Sequence, residues 1–256
     1  MFRDPWFLGA VLLGIGFNLS QSVLLLQLSD VLQYVHDYST IQVSLAQFPA
    51  LGCGVVAAVV VGRRLSGGVG VPAVAAVGSV AVVVGYLFLL PYGVGSSFWV
   101  LLPALVLIGA GAQTLAVPFG HLMVKVAPPR HYGPVTFSRL TIGQLTFAVG
   151  MAGSTVLIDR LTTGGIVARL EAAGAQPPGV RDDLEAVALY VQGSDPNVTG
   201  TVRDALSVAA DSYLSAFSIM SLVMALVLAL LGVASWWVLS RAARASTPAP
   251  GPASGG

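Results

Sequence analysis

Charged residues are scarce in this 256-residue chain: Asp, Glu, Lys and Arg together make up only 9% of the sequence, against roughly 25% in soluble domains. Cysteine is nearly absent too. Cys53 is the only one, which excludes an internal disulfide and a cysteine metal cluster. The net charge of +1 argues against nucleic acid as a partner. The three histidines are scattered over predicted loops and helix ends, so we predict no metal site.

Sequence signatures of several functions are missing as well. The chain has no Gly-x-Ser-x-Gly elbow for a hydrolase, no Gly-rich phosphate loop for a nucleotide site and no Asn-Pro-Ala pair for a water channel. We therefore predict neither an enzyme activity nor a bound cofactor.

Long apolar runs are what the chain has in abundance, with 55% hydrophobic residues and a mean hydropathy of +0.84. A helix of about 20 apolar residues crosses the ~30 Å hydrocarbon core of a bilayer. Six stretches meet or nearly meet that length: 6–29, 41–62, 71–90, 98–124, 136–158 and 213–240. The sequence predicts an all-α membrane protein built as a six-transmembrane-helix bundle, with membrane lipid as its surroundings.

Loop charges predict the orientation of the bundle. The short loops at 34–40 and 91–97 carry no Lys or Arg, whereas the basic residues outside one long loop fall on the opposite side. Short cytoplasmic loops carry the excess of Lys and Arg. We expect a multi-pass protein of the plasma (inner) membrane with both termini in the cytoplasm.

Composition divides the chain into four parts. Residues 1–158 hold predicted helices one to five, and 213–244 hold helix six. Between them, 159–212 contains most of the acids and has helical spacing interrupted by Gly and Pro, which predicts an extracytoplasmic loop of short amphipathic helices. The tail 245–256 consists mainly of Pro, Gly, Ser and Ala and is predicted to be disordered.

Small residues recur in predicted spans two to five. Helix backbones can approach closely at such residues, which membrane helices need because lipid supplies no hydrophobic drive for association. The glycines concerned are Gly52, Gly54, Gly78, Gly85, Gly109, Gly111, Gly143, Gly150 and Gly153. We expect them at helix contacts, serving either tight packing or a moving hinge.

Polar side chains distinguish the first span from the others. At 3.6 residues per turn they fall on two faces. One face holds Asn18, Gln21, Ser22 and Ser29, and the other holds Ser20, Gln27 and Asp30. Such a helix is expected inside the bundle. Two interpretations stay open: the side chains line a cavity, or they hydrogen-bond to neighbouring helices.

Amides near mid-membrane depth in two later spans extend the first interpretation. Gln113 and Gln144 lie at that depth in predicted spans four and five. The candidate lining of a substrate cavity is therefore Asn18, Gln21, Gln27, Gln113 and Gln144.

Asp30 is the one acid well inside a spanning pattern, ~36 Å along the helix from Trp6 and so near the outer interface. It is our proton-coupling candidate, and a hydrated interfacial carboxylate is the alternative. Arg139 opens span five at the inner interface, where it pairs with an acid or a lipid phosphate, or extends its head to water.

Two segments carry a resemblance to a known family. The string LLQLSDVLQYVHDYSTIQVSLAQFPALG at Leu25–Gly52 resembles the start of the C-terminal helical set of major facilitator superfamily transporters, in their fourteen-helix drug:proton antiporter branch. The string GRRLSGGVG at Gly62–Gly70 stands where that family has a Gly-Arg-x-x-Asp-Arg-x-Gly-type turn. Its acid is missing, because Ser66 and Gly67 occupy that region.

A third segment extends the resemblance over nearly the whole chain. The string VAPPRHYGPVTFSRLTIGQLTFAVG at Val126–Gly150 is similar to the family's Val-Pro-x-x-Arg-x-Gly…Arg-x-x-Gly-x-x-x-Gly pattern. The matching positions are Arg130, Gly133, Arg139, Gly143 and Gly150. A long extracytoplasmic loop before the last helix is also typical of this branch.

The resemblance implies the C-terminal half of a transporter for proton-coupled efflux of a small organic or drug-like compound. It also implies gating roles for Arg63, Arg64, Arg130 and Arg139. Since alternating access needs two helical sets around one site, we expect a partner half or a homodimer. The alternative is a non-transporting accessory or scaffold protein, or an inactive transporter fragment.

Overall fold

A computed structural model describes residues 4–93, 96–126, 132–172 and 200–245 of the chain, and these ranges contain six α-helices. A short π-helical turn, Val31–Val35, extends the first helix. The six helices are α1 Pro5–Asp30, α2 Thr40–Ser66, α3 Val71–Leu87, α4 Phe98–Val126, α5 Tyr132–Ala172 and α6 Gly200–Ala245. No strand occurs in these described ranges.

Local sequence signals set several helix ends. The side chain of Asp4 accepts a hydrogen bond from the backbone N–H of Trp6 at 2.9 Å and so caps α1. Ser39 and Gln42 form a reciprocal capping box at the start of α2. After the end of α2, Gly68 has a φ of 90°, a left-handed conformation that glycine adopts without a steric penalty.

Helices α1 and α4 form the centre of the bundle. They pack on each other, α3 packs on α4, α6 packs on α1, and α3 and α6 also contact each other. The remaining two helices sit at the edges, with α2 on α4 and α5 on α1 and α6. In an apolar 18-residue stretch of α2 and of α5 only 22% of the stretch is buried, against 50% in the corresponding stretches of α1 and α4. Most of the surface of both edge helices is therefore open.

Close backbone approach at glycines holds the edge helices in place. A Cβ atom at Gly109 of α4 would overlap the carbonyl group of Ala50 in α2. A Cβ atom at Gly150 of α5 would overlap the Oγ of Ser22 in α1. Gly52 and Gly153, by contrast, have nothing within 4 Å of such an atom. The expectation of glycine at helix contacts is thus met at Gly109 and Gly150 but not at these two positions.

Five of the helices in the described ranges are long and apolar enough to cross a bilayer, which supports the predicted all-helical, multi-pass membrane protein. The exception is α3, which has 17 residues. The helices α5 and α6 are longer than predicted, with 41 and 46 residues. At 1.5 Å per residue each exceeds ~60 Å, about twice the hydrocarbon core.

Both long helices continue into the stretch predicted as a loop. α5 runs beyond 158 to Ala172, and α6 begins at Gly200, before the predicted start at 213. Gly165 packs against Ser212, so the two extensions lie side by side. The rest of the predicted loop, 173–199, and the predicted disordered tail at 246–256 lie outside the described residues.

Candidate functional site

A narrow gap between α1, α2 and α4 gathers three glutamines. Gln21 of α1, Gln47 of α2 and Gln113 of α4 line it together with apolar side chains and Gly109. Its volume of about 10 Å³ has room for about one water molecule. Gln113 lies ~22 Å from the first residue of α4 and ~20 Å from the last, near the middle of that helix. The gap is therefore at membrane depth.

Only one of the three amides has a hydrogen-bond partner. Gln47 Nε2 donates to Ser29 Oγ at 2.7 Å and to the Leu25 carbonyl oxygen at 3.3 Å, which ties α2 to α1. Within the described part of the chain, the half-buried side chains of Gln21 and Gln113 make no hydrogen bond. An amide at this depth gains from a partner because hydrocarbon supplies none. The gap thus presents two open amides to whatever enters or covers it.

The structure separates the other predicted cavity residues from this gap. Asn18 Nδ2 donates to the Gly14 carbonyl oxygen at 2.8 Å, and Asn18 packs against Gly143 of α5. Gln27 is 1% exposed and its Nε2 donates to Ser154 Oγ of α5 at 3.0 Å. Gln144 is exposed on α5. Of the five residues, the structure brings only Gln21 and Gln113 together.

Asp30 ends α1 on a different side from the glutamine gap. Its carboxyl group is half-buried, and Tyr213 of α6 is close enough to interact electrostatically with it. Ser29, the preceding residue, bonds to Gln47 on α2 instead. The proton-coupling candidate therefore lies beyond the gap, at the end of α1.

A hydrogen bond joins two loops at the same end of the bundle. The Tyr92 hydroxyl lies 2.7 Å from His36 Nε2, and Tyr38 packs edge-on to the His36 ring. Burial, with a smaller contribution from Tyr38, raises the pKa of Tyr92 to about 12, so its phenol stays protonated at neutral pH. Burial lowers the pKa of His36, although Asp37 opposes this in part. At neutral pH this hydrogen bond therefore joins a protonated Tyr92 phenol to an uncharged His36.

The four predicted gating arginines do not form one group. Arg63 and Arg64 are exposed in the last turn of α2. Arg139 is exposed on α5, with its guanidinium carbon 5.3 Å from the centre of the Phe119 ring, where it covers Gly120. Arg130 lies outside the described residues.

Sequence reasoning passed over Gln47, which the structure makes part of the gap. A signal was present. Gln47 shares a helical face with Ala50 and Gly54, and that small-residue face is the one that meets α4. A glutamine on the same face as small residues is therefore expected at the helix contact that those residues make.

The gap holds amides and no titratable group, so it offers hydrogen bonds without charge or acid–base chemistry. No cluster of three or more His, Cys, Asp or Glu that could hold a metal ion occurs among the residues that the structure describes. Comparison with known proteins gives no match to any family model and none to a curated protein.

Proposed function

We propose that the chain is one six-helix unit of a membrane transporter and completes a substrate pathway by associating with a second unit. The observation that carries this proposal is the pair of open amides, Gln21 and Gln113, at membrane depth in a chain otherwise dominated by apolar side chains. In hydrocarbon an open amide is costly. A water-filled pathway, a substrate or a second unit supplies the missing hydrogen bonds.

The small volume of the gap supports the need for a second unit. A drug-sized ligand requires a pocket of roughly 300–1,000 Å³, whereas the gap has about 10 Å³. A substrate site therefore needs walls that these six helices do not supply. The open edge helices α2 and α5 flank the central pair and offer the surface on which a second helical set, or a second copy, would pack.

The proposal includes α3 as a sixth span. Its 17 helical residues cover ~26 Å, at the lower end of the range for membrane helices. The apolar turn Phe88–Leu90 follows directly and adds length. With α3 spanning, both termini lie on one side, which we propose is the cytoplasm of a cell bounded by the plasma (inner) membrane.

Packing at one end of the bundle supports this orientation. Gly9 of α1 contacts Leu239 of α6, and Arg139 of α5 covers Gly120 of α4. The start of α1 and α5 and the end of α4 and α6 therefore lie together. That end carries the basic residues expected in the cytoplasm.

A cysteine-labelling experiment tests the orientation in intact cells. With Cys53→Ser as background, Ser96→Cys should react with a membrane-impermeant maleimide, and Ser66→Cys should not. The reverse pattern would invert the proposed topology.

We propose that efflux of a small organic compound is coupled to protons through Asp30. The carboxyl group can take up and release a proton near the end of α1, beyond the amide gap. Asp30→Asn keeps the size and hydrogen bonding of this side chain but removes the titration. Asp37→Asn is the matched control, because Asp37 is exposed at the same end and has a φ of 53°, which asparagine tolerates.

The experiment measures uptake of fluorescent organic cations by proteoliposomes under an imposed pH gradient, together with the oligomeric state of the protein. We expect no flux from a demonstrated monomer and flux from an assembled two-unit particle. Asp30→Asn should abolish the dependence on the pH gradient, and Asp37→Asn should not. Flux from a monomer would contradict the two-unit requirement.

An accessory or scaffold role is the second candidate, and the lengths of α5 and α6 favour it. Each helix extends well beyond the bilayer, and the extensions pack together near Gly165 and Ser212. A rigid projection of this kind suits the binding of a partner outside the membrane. Absence of flux from assembled particles, together with capture of a partner that is lost when residues 159–211 are replaced by a short linker, would favour this role.

A further inference from the structure

A groove between α3 and α6 lies on the side of the bundle away from the glutamine gap. It has a volume of about 300 Å³. Its walls include Val80, Val83 and Val84 of α3 and Ala229, Val233 and Trp236 of α6. Gly232 and Ser79 also line the groove, and α3 and α6 approach closely there, since a Cβ atom at Gly232 would stand 2.6 Å from the Cβ of Ser79.

A cation stands beyond one end of this groove. The guanidinium carbon of Arg241 lies 3.5 Å from the centre of the Trp237 ring. Trp237 belongs to an apolar surface of α6 that also includes the groove residues Ala229 and Val233. Stacking on the ring holds the exposed arginine in position. Arg244 follows in the last turn, and no acid occurs in the sequence after Asp211. This end of α6 is therefore suited to an anion.

The spacing along α6 matches one leaflet of a bilayer. Ala229 and Arg241 are ~18 Å apart along the helix axis, and half of the hydrocarbon core is ~15 Å. Between them stand Trp236 and Trp237, and tryptophan is enriched at the interface between hydrocarbon and headgroups. The acyl chains of a lipid in that leaflet are thus level with the groove, and its phosphate is level with Arg241.

We propose that this surface binds an anionic glycerophospholipid, with one acyl chain in the groove between α3 and α6 and the phosphate on Arg241 and Arg244. The site differs in position and chemistry from the amide gap. It does not depend on transport and holds equally for a scaffold protein.

The test is native mass spectrometry of the purified full chain in a mild detergent, titrated with phosphatidylglycerol or with phosphatidylcholine of the same chain length. We expect one phosphatidylglycerol to bind in preference to phosphatidylcholine. Arg241→Gln should weaken phosphatidylglycerol about fivefold, the effect of one surface cation on an anionic lipid, and the double variant with Arg244→Gln about 25-fold. Arg64→Gln, at the end of α2, is the control and should leave the affinity for phosphatidylglycerol unchanged.

A second pair of variants tests the groove itself. Ala229→Phe fills the groove and should weaken both lipids, whereas Ala152→Phe places the same ring on the exposed surface of α5 and should weaken neither. Thermal unfolding checks that all variants fold. Equal binding of the two lipids, equal effects of Arg241→Gln and Arg64→Gln, or no effect of Ala229→Phe would each overturn the proposed site.

Discussion

The contact between α2 and α4 depends on the absence of a side chain at Gly109. A Cβ atom there would overlap the backbone of Ala50, and backbone cannot move aside as a flexible side chain can. α2 packs on α4 and, near its N-terminal end, on the π-helical turn and α1. We expect Gly109→Ala to push α2 outward and to open the gap that Gln47 and Gln113 line.

The magnitude follows from a matched substitution in the partner helix. Any Gly→Ala change inside a helix gains up to about 1 kcal/mol from helix propensity. Gly52→Ala takes this gain without a steric cost, since nothing lies within 4 Å of the added atom. The difference between Gly109→Ala and Gly52→Ala therefore isolates the overpacking penalty, about 1–3 kcal/mol. For a chain of this size that corresponds to roughly 2–12 °C in Tm.

Circular dichroism of the purified variants in detergent measures the Tm difference. The half-buried thiol of Cys53 on α2 supplies a second measurement, because an outward shift of α2 should speed its alkylation. Gly109→Ala should unfold at a lower temperature than Gly52→Ala and react faster at Cys53 than the unaltered chain. Equal Tm values and equal alkylation rates would refute the backbone contact between α2 and α4.

Two further predictions concern hydrogen bonds near the C-terminal end of α1. A double-mutant cycle of Ser29→Ala and Gln47→Leu should give a coupling of about 0.6 kcal/mol, the usual size for such bonds between membrane helices, and zero coupling would exclude the bond. For His36, the pKa in the folded chain lies below the unfolded value of about 6.5. As the pH falls below 6.5, the unfolded chain therefore binds a proton at His36 more readily than the folded chain, and the free energy of unfolding decreases. Comparison of unfolding at pH 7.5 and pH 5.5 should therefore show a larger acid loss for the unaltered chain than for His36→Gln, and identical losses would contradict this.

The helical membrane architecture could be predicted because apolar runs of about 20 residues have few other structures open to them. The helix starts at Asp4 and Ser39 follow from local capping chemistry, which the chain sequence displays. The length of α5, by contrast, could not be predicted from the sequence. Past 158 charged and polar residues interrupt the apolar run, and the helix continues there packed beside α6, with Gly165 against Ser212.

The candidate site could be predicted only in part, because helical periodicity gives the face of a side chain but not the neighbour it meets. Gln21 and Gln27 both lie in α1, yet one borders the gap with α2 and α4 and the other bonds to Ser154 of α5. Which pairs of helices touch is decided by contacts such as that of Gly109 with Ala50. These contacts join residues far apart in the sequence, and no local pattern specifies them.

Reaction of cysteines with a small, charged methanethiosulfonate reagent in native membranes tests the proposed pathway most directly. With Cys53→Ser as background, the comparison is between Gln21→Cys, Gln113→Cys and the control Leu226→Cys, whose native leucine is exposed on α6. Thiolate forms in water but not in hydrocarbon. We predict rapid reaction at Gln21→Cys and Gln113→Cys and none at Leu226→Cys. If all three are equally unreactive, the amides do not face a water-accessible pathway, and the proposed function is contradicted.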